Sequence, residues 1–103
     1  MNSVTEVLRS ARELITDRKN WTQGHFVRVR EDGGECFCAE GAIDRVLYLA
    51  DVETNWREFY RPLRTVIGSP YHSIVLWNDQ DGRTHEEVLA AFDKAIELTE
   101  SES

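Results

Sequence analysis

The chain has 103 residues, a formal net charge of −7, 41% hydrophobic and 10% aromatic content. That length suits one domain burying about two-thirds of the surface its unfolded chain exposes, and the apolar content excludes a disordered segment. The charge is uneven, +3 over residues 1–30 and −10 over residues 31–103, which argues against phosphate-backbone binding as the main activity because counterion release needs clustered Lys and Arg.

A basic protein partner fits this acidity, and so does the plainer reading of a charge that keeps a small domain soluble and monomeric. The start, MNSVTEVLRSARELI, lacks the basic region and unbroken apolar stretch of a signal peptide. No later apolar run approaches the roughly 18 residues of a membrane span, so a soluble cytoplasmic protein is expected. Cys36 and Cys38, the only cysteines, are two apart, a spacing that seldom permits a mutual disulfide, and reduced thiols agree with that address.

In chain order, Val4, Val7, Leu8, Ala11, Leu14 and Ile15 recur at helical spacing behind the capping box Ser3-Val4-Thr5-Glu6 and predict a helix over about 4–17. Residues 20–24 break the pattern, with Trp21 as an apolar plug. Residues 25–30 then alternate, with Val27 and Val29 on one face and Phe26, Arg28 and Arg30 on the other. Glu31-Asp32-Gly33-Gly34 and Glu35-Cys36-Phe37-Cys38 complete a hairpin signal. Ala39, Ala42, Ile43, Val46, Leu47 and Ala50 predict a second helix, with Glu40 at its positive end.

A third apolar stripe, Trp56 to Ile67, stops at Gly68 and contains Pro62, which should kink or divide it. Ser69-Pro70 reads as a cap and first-turn proline of a short helix over 70–77, although Ser73 to Trp77 is also short enough for a buried strand. Residues 78–82 form a turn cluster, and a second capping box, Thr84-His85-Glu86-Glu87, opens a last helix over about 84–99. The expected fold class is therefore α+β: a mainly helical single domain of about four helices on a small hairpin. The first and last helices should lie side by side around Trp21, Phe37, Ile43, Leu47, Phe59, Leu76, Trp77, Leu89 and Phe92.

Chemistry has few places to reside. Cys38 stands at a helix start, where the macrodipole and free amides lower a thiol pKa. A base could come from His72, or from His25 or His85, and an orienting group from Asn78 or Asp79, an order of residues like that of thiol hydrolases. Cysteine is also a common buried apolar filler, and that structural reading is preferred here.

A zinc site from the cysteines and histidines is poorly supported, since Cys-x-Cys is no knuckle and no His pair has ligand spacing; no metal or cofactor is expected. His25 and His85 fit surface or boundary positions. The stretch Trp77 to Thr84 lacks the spacing and terminal glutamate of a calcium loop. It reads instead as a turn in which Asn78 and Asp79 bond the turn backbone, Gly82 takes a positive φ and Arg83 pairs with a local carboxylate.

Arg57, Arg61 and Arg64 fall at i, i+4 and i+7. With Arg28 and Arg30 they could hold a phosphate or an acidic peptide, although a solvated face paired with Glu53 and Glu58 is the commoner outcome. Asp79, Asp81 and Arg83 complete the candidate binding residues.

Trp21, the run CAEGA at 38–42, the run WNDQDGRT at 77–84 and the final EEVLAAFDKAI at 86–96 together resemble a set of small uncharacterised proteins from phages, prophages and bacteria. These carry a Cys-x-x-Gly-Ala helix start and a Trp-Asn-Asp-x-x-Gly-Arg-Thr turn. The resemblance spans most of residues 20–97 and implies a context, inhibition or adaptation of host machinery, but no activity. The resulting expectation is a non-catalytic acidic protein-binding domain acting on a host or bacterial protein, such as a defence or nucleic-acid-processing protein. The alternative is a small thiol hydrolase or transferase using Cys38, His72, Asn78 and Asp79.

Overall fold

The computed structural model describes residues 3–68 and 73–101, and among these the chain forms an α+β fold of five α-helices and one antiparallel hairpin. Helix α1 (Val4–Leu14) is capped by the Ser3 hydroxyl, which accepts the Glu6 N–H. It stops about three residues short of the predicted end at 17, because the Ile15 N–H turns back to the Arg12 carbonyl and tightens the last turn. Ile15 itself remains fully buried.

After a 3₁₀ turn (Arg18–Asn20), β1 (Val27–Val29) and β2 (Glu35–Phe37) pair with Val27 opposite Phe37 and Val29 opposite Glu35. Helix α2 (Ala39–Leu49) begins at once, so the second strand and the helix share a rigid junction. At its far end Asp51 takes φ 59°. The Val52 N–H reaches the Leu47 carbonyl (3.0 Å) and the Asp51 N–H the Tyr48 carbonyl (3.2 Å), the paired bonds of a Schellman cap. The Trp56 indole donates to the Val52 carbonyl and so tucks Trp56 against α2.

Helix α3 (Arg57–Ile67) is not divided by Pro62, which lies buried inside it. The carbonyl robbed of its donor belongs to Glu58, an exposed residue, so water can satisfy it. The cap proposed at Ser69-Pro70 and His72 lie outside the described residues. Helix α4 (Ile74–Asn78) is capped by Ser73, whose hydroxyl accepts the Leu76 N–H. A helix rather than a strand is therefore correct at 74–77, starting later than predicted.

Helix α5 (His85–Ser101) opens on the full capping box, with the Thr84 N–H bonded to the Glu87 carboxylate and the Glu87 N–H to the Thr84 hydroxyl. Helix α1 packs against α2 and α5, and α3 packs against α5. Leu8, Ile15, Ile43, Leu47, Leu63, Ile74 and Phe92 are fully buried between them. The first and last helices are further joined by the Thr5–Thr99 hydroxyl bond (2.7 Å) and the Arg12–Asp93 and Arg9–Glu100 ion pairs. The exposed ion pairs add little. Two core expectations change. Leu76 is 66% exposed, because the short α4 buries the side of Ile74 and Trp77. His85, expected at the boundary, is buried with its ring nitrogen 2.6 Å from the Ile15 carbonyl.

Candidate functional site

Asn78 lies at the centre of the molecule's polar chemistry. It ends α4 fully buried, and its amide oxygen accepts from the Trp21 indole (2.8 Å) and the Ala39 N–H (3.1 Å). Its amide nitrogen donates to the Thr22 carbonyl (3.1 Å) and the Asp79 carboxylate (2.9 Å). Asp79 in turn accepts the Gly24 N–H, and Gln23 donates to the Asn78 and Gln80 carbonyls. The expectation that Asn78 bonds its own turn is thus corrected: it ties α4 to the 21–24 loop and to the start of α2. Gly82 does take a positive φ (83°), and Arg83 does pair with Glu87 while stacking 4.2 Å over Trp77.

Cys38 caps α2, its sulfur accepting the Gly41 N–H at 3.3 Å. The side chain is 1% exposed, and burial, outweighing the helix-start amides, pushes its thiol up to about 11. Both cysteines are free and buried. A thiol at that value holds about 100-fold less thiolate near pH 8 than an ordinary one. Iodoacetamide should therefore label Cys38 in the native protein at least about 100-fold more slowly than in urea. Labelling at the urea rate in the native state would show that the thiol is accessible after all.

Asp81 is exposed, as are Arg57, Arg61 and Arg64. None of these arginines forms an ion pair among the described residues, and Arg64 lies 5.7 Å over the Tyr60 ring. The pairing expected with Glu53 and Glu58 is absent there. Arg30 is taken up by the hairpin, bonding Asn20, Asp32 and the Glu35 carbonyl, and Arg28 donates to the Thr22 hydroxyl. No group of three or more metal-ligating side chains occurs among the described residues, and none of their helices is long and apolar enough to cross a membrane.

A surface outside the predicted residues carries more. The Cys38 N–H donates to the Phe26 carbonyl and the Arg30 N–H to the Gly34 carbonyl. Antiparallel alternation therefore points the amides and carbonyls of Val27 and Val29 away from β2. On its other side β2 is already occupied by the Trp21–Phe37 bridge and by the Thr22 N–H on the Phe37 carbonyl. Among the described residues no backbone group bonds the outer edge of β1, and all three of its residues are exposed, Val29 at 65%.

Beside this edge, Tyr48 and Leu49 stand out from α2, each 72% exposed. A groove of about 390 Å³ joins them to β1, lined by Phe26, Val27, Gly41, Asp44, Arg45, Tyr48, Leu49 and Trp56. Its closeness depends on Gly41, where any Cβ would overlap the Phe26 carbonyl. Arg45 forms its rim, gripping Glu35 through two bonds (2.6 and 3.0 Å) and lying 5.1 Å over Phe37.

Asp44 accepts the Tyr60 hydroxyl. Burial holds the carboxyls of Asp44 and Glu40 above the usual carboxylate range, Asp44 adding to the effect on Glu40. The sequence did contain a sign of this surface, since Tyr48 and Leu49 are apolar residues off the buried stripe of α2.

Residues 1–98 match a family described as a family of unknown function. No curated protein and no solved structure matches the chain.

Proposed function

We propose that this chain, which belongs to the DUF6197 family of unknown function, is a non-catalytic protein-binding domain that takes an extended segment of a partner along β1. The open, exposed edge at Val27 and Val29 is the observation that carries this reading. Unpaired strand amides and carbonyls are a ready template for another strand, and adjacent pockets supply side-chain specificity. Scattered exposed apolar residues mean little, but Phe26, Val27, Tyr48, Leu49 and Trp56 line one groove and so form a continuous patch. An inhibitor or adaptor of a host defence or nucleic-acid-processing protein is the form of this function that the phage-like sequence pattern suggests. The buried Cys38 with its raised thiol pKa favours no thiol enzyme.

Val29→Pro tests the reading. The Val29 N–H points outward, so proline removes no bond to β2 and belongs among the edge positions that tolerate it. Stability should change by less than about 1 kcal/mol, while a partner retained by the unmodified protein from bacterial lysate should be lost. Retention of that partner by Val29→Pro, or by a Val29→Pro, Tyr48→Ala double variant, would remove β1 from the interface. If acidic complementarity contributes, retention should also weaken between roughly 0.05 and 0.5 M salt.

A further inference from the structure

We infer that the groove between β1 and α2 is a subsite for a basic side chain, lysine or arginine, of the segment that pairs with β1. The inference rests on the strand-pairing reading above and adds the chemistry of the partner. In a strand laid along Val27 and Val29, alternate side chains point to one face of the sheet. The groove borders that edge through Phe26 and Val27. An alkyl stem can lie against Phe26, Tyr48 and Trp56, whose ring faces also attract a cation.

The head group has a partner in Asp44. This carboxylate is half-buried and accepts one hydrogen bond, from the Tyr60 hydroxyl, and it has no ion pair among the described residues. Glu40 lies one turn before it on α2, but Arg64 already acts on that carboxyl as a counter-charge, so Asp44 alone is the candidate partner. The cation on the groove wall, Arg45, is held by both oxygens of Glu35, and Arg64 of α3 lies over the Tyr60 ring. An incoming cation would supply the counter-charge that Asp44 lacks among the described residues. An anion would meet the Asp44 carboxylate on the groove wall, and a neutral apolar side chain would bury Asp44 further without compensation.

The test is an NMR titration of the full chain with three blocked pentapeptides of sequence Thr-Val-X-Val-Thr, in which X is lysine, norleucine or Nζ-acetyllysine. The lysine peptide should bind about fivefold more tightly than either neutral one, as a partly buried ion pair would give. It should shift the Val27 and Val29 amides together with the Trp56 indole and Tyr48 signals. Asp44→Asn keeps an acceptor for Tyr60, and in that variant the three peptides should bind alike. Equal binding of all three to the unmodified protein, with Val27 and Val29 shifted, would overturn the basic subsite and leave strand pairing standing. No shift at Val27 and Val29 with any peptide would overturn strand pairing and the subsite with it. The three-peptide comparison needs no variant, so misfolding of Asp44→Asn would not blunt it.

Discussion

Asn78→Ala should lower the unfolding free energy by about 3–5 kcal/mol, measured as a drop in urea midpoint at unchanged slope. The magnitude follows from what the truncation leaves behind. The Trp21 indole N–H and the Ala39 N–H lose a shared acceptor and the Thr22 carbonyl loses a donor. Each group unsatisfied in a buried setting costs about 1–3 kcal/mol. Partial relaxation toward water offsets some of that sum, chiefly at the partly buried Trp21.

Asn78→Asp is no rescue, because it places a charge at a fully buried position and removes both amide donors. The same hub covers the start of α2, so Asn78→Ala should also speed native-state alkylation of Cys38. A loss below about 1 kcal/mol would mean that the 21–24 loop is held mainly by apolar packing of Trp21.

Gly41→Ala should cost about 2–3 kcal/mol and abolish whatever binding the β1 edge supports. An ordinary glycine-to-alanine change within a helix gains up to about 1 kcal/mol, so here the sign itself is diagnostic. A Cβ at residue 41 would overlap the backbone carbonyl of Phe26, and backbone cannot rotate aside as a side chain can. The hairpin must retreat from α2, stretching the bond from the Cys38 N–H to the Phe26 carbonyl and opening the groove along Phe26 and Val27. Gly34→Ala is the comparison, because its Cβ would meet the side-chain head of Arg30 rather than backbone, so its cost is confined to that side chain's bonds to Asn20 and Asp32. A stabilised Gly41→Ala with intact binding would show that the hairpin rides on α2 loosely.

Much of the secondary structure was legible because its causes are local. The helical stripes of α1, α2 and α5 and the caps at Ser3 and Thr84 are short-range patterns, and the Asp-Gly turn of the hairpin is another. The start of α4 was misplaced because a five-residue helix is too short to display a period, and in the sequence Ser69-Pro70 reads as a cap at least as well as Ser73 does. The candidate site was far less legible. Charged residues stood out in the chain, yet Arg83 turned out to be engaged within the fold and so did Asp79, while the surface that emerged is mostly apolar.

Composition and periodicity by themselves determined an acidic, mainly helical α+β chain with reduced, unbridged cysteines, because helix, turn and cap preferences are settled by residues within about one or two turns of each other. Tertiary structure decided that Asn78 would reach Trp21, Thr22 and Ala39, at separations of 57, 56 and 39 residues. It decided that Cys38 would be sealed, that β1 would keep an open edge, and that Tyr48, Leu49 and Asp44 would flank one groove. These depend on which faces meet when α2 closes over the hairpin, and a side chain's partners across that contact leave no trace in its neighbours along the chain.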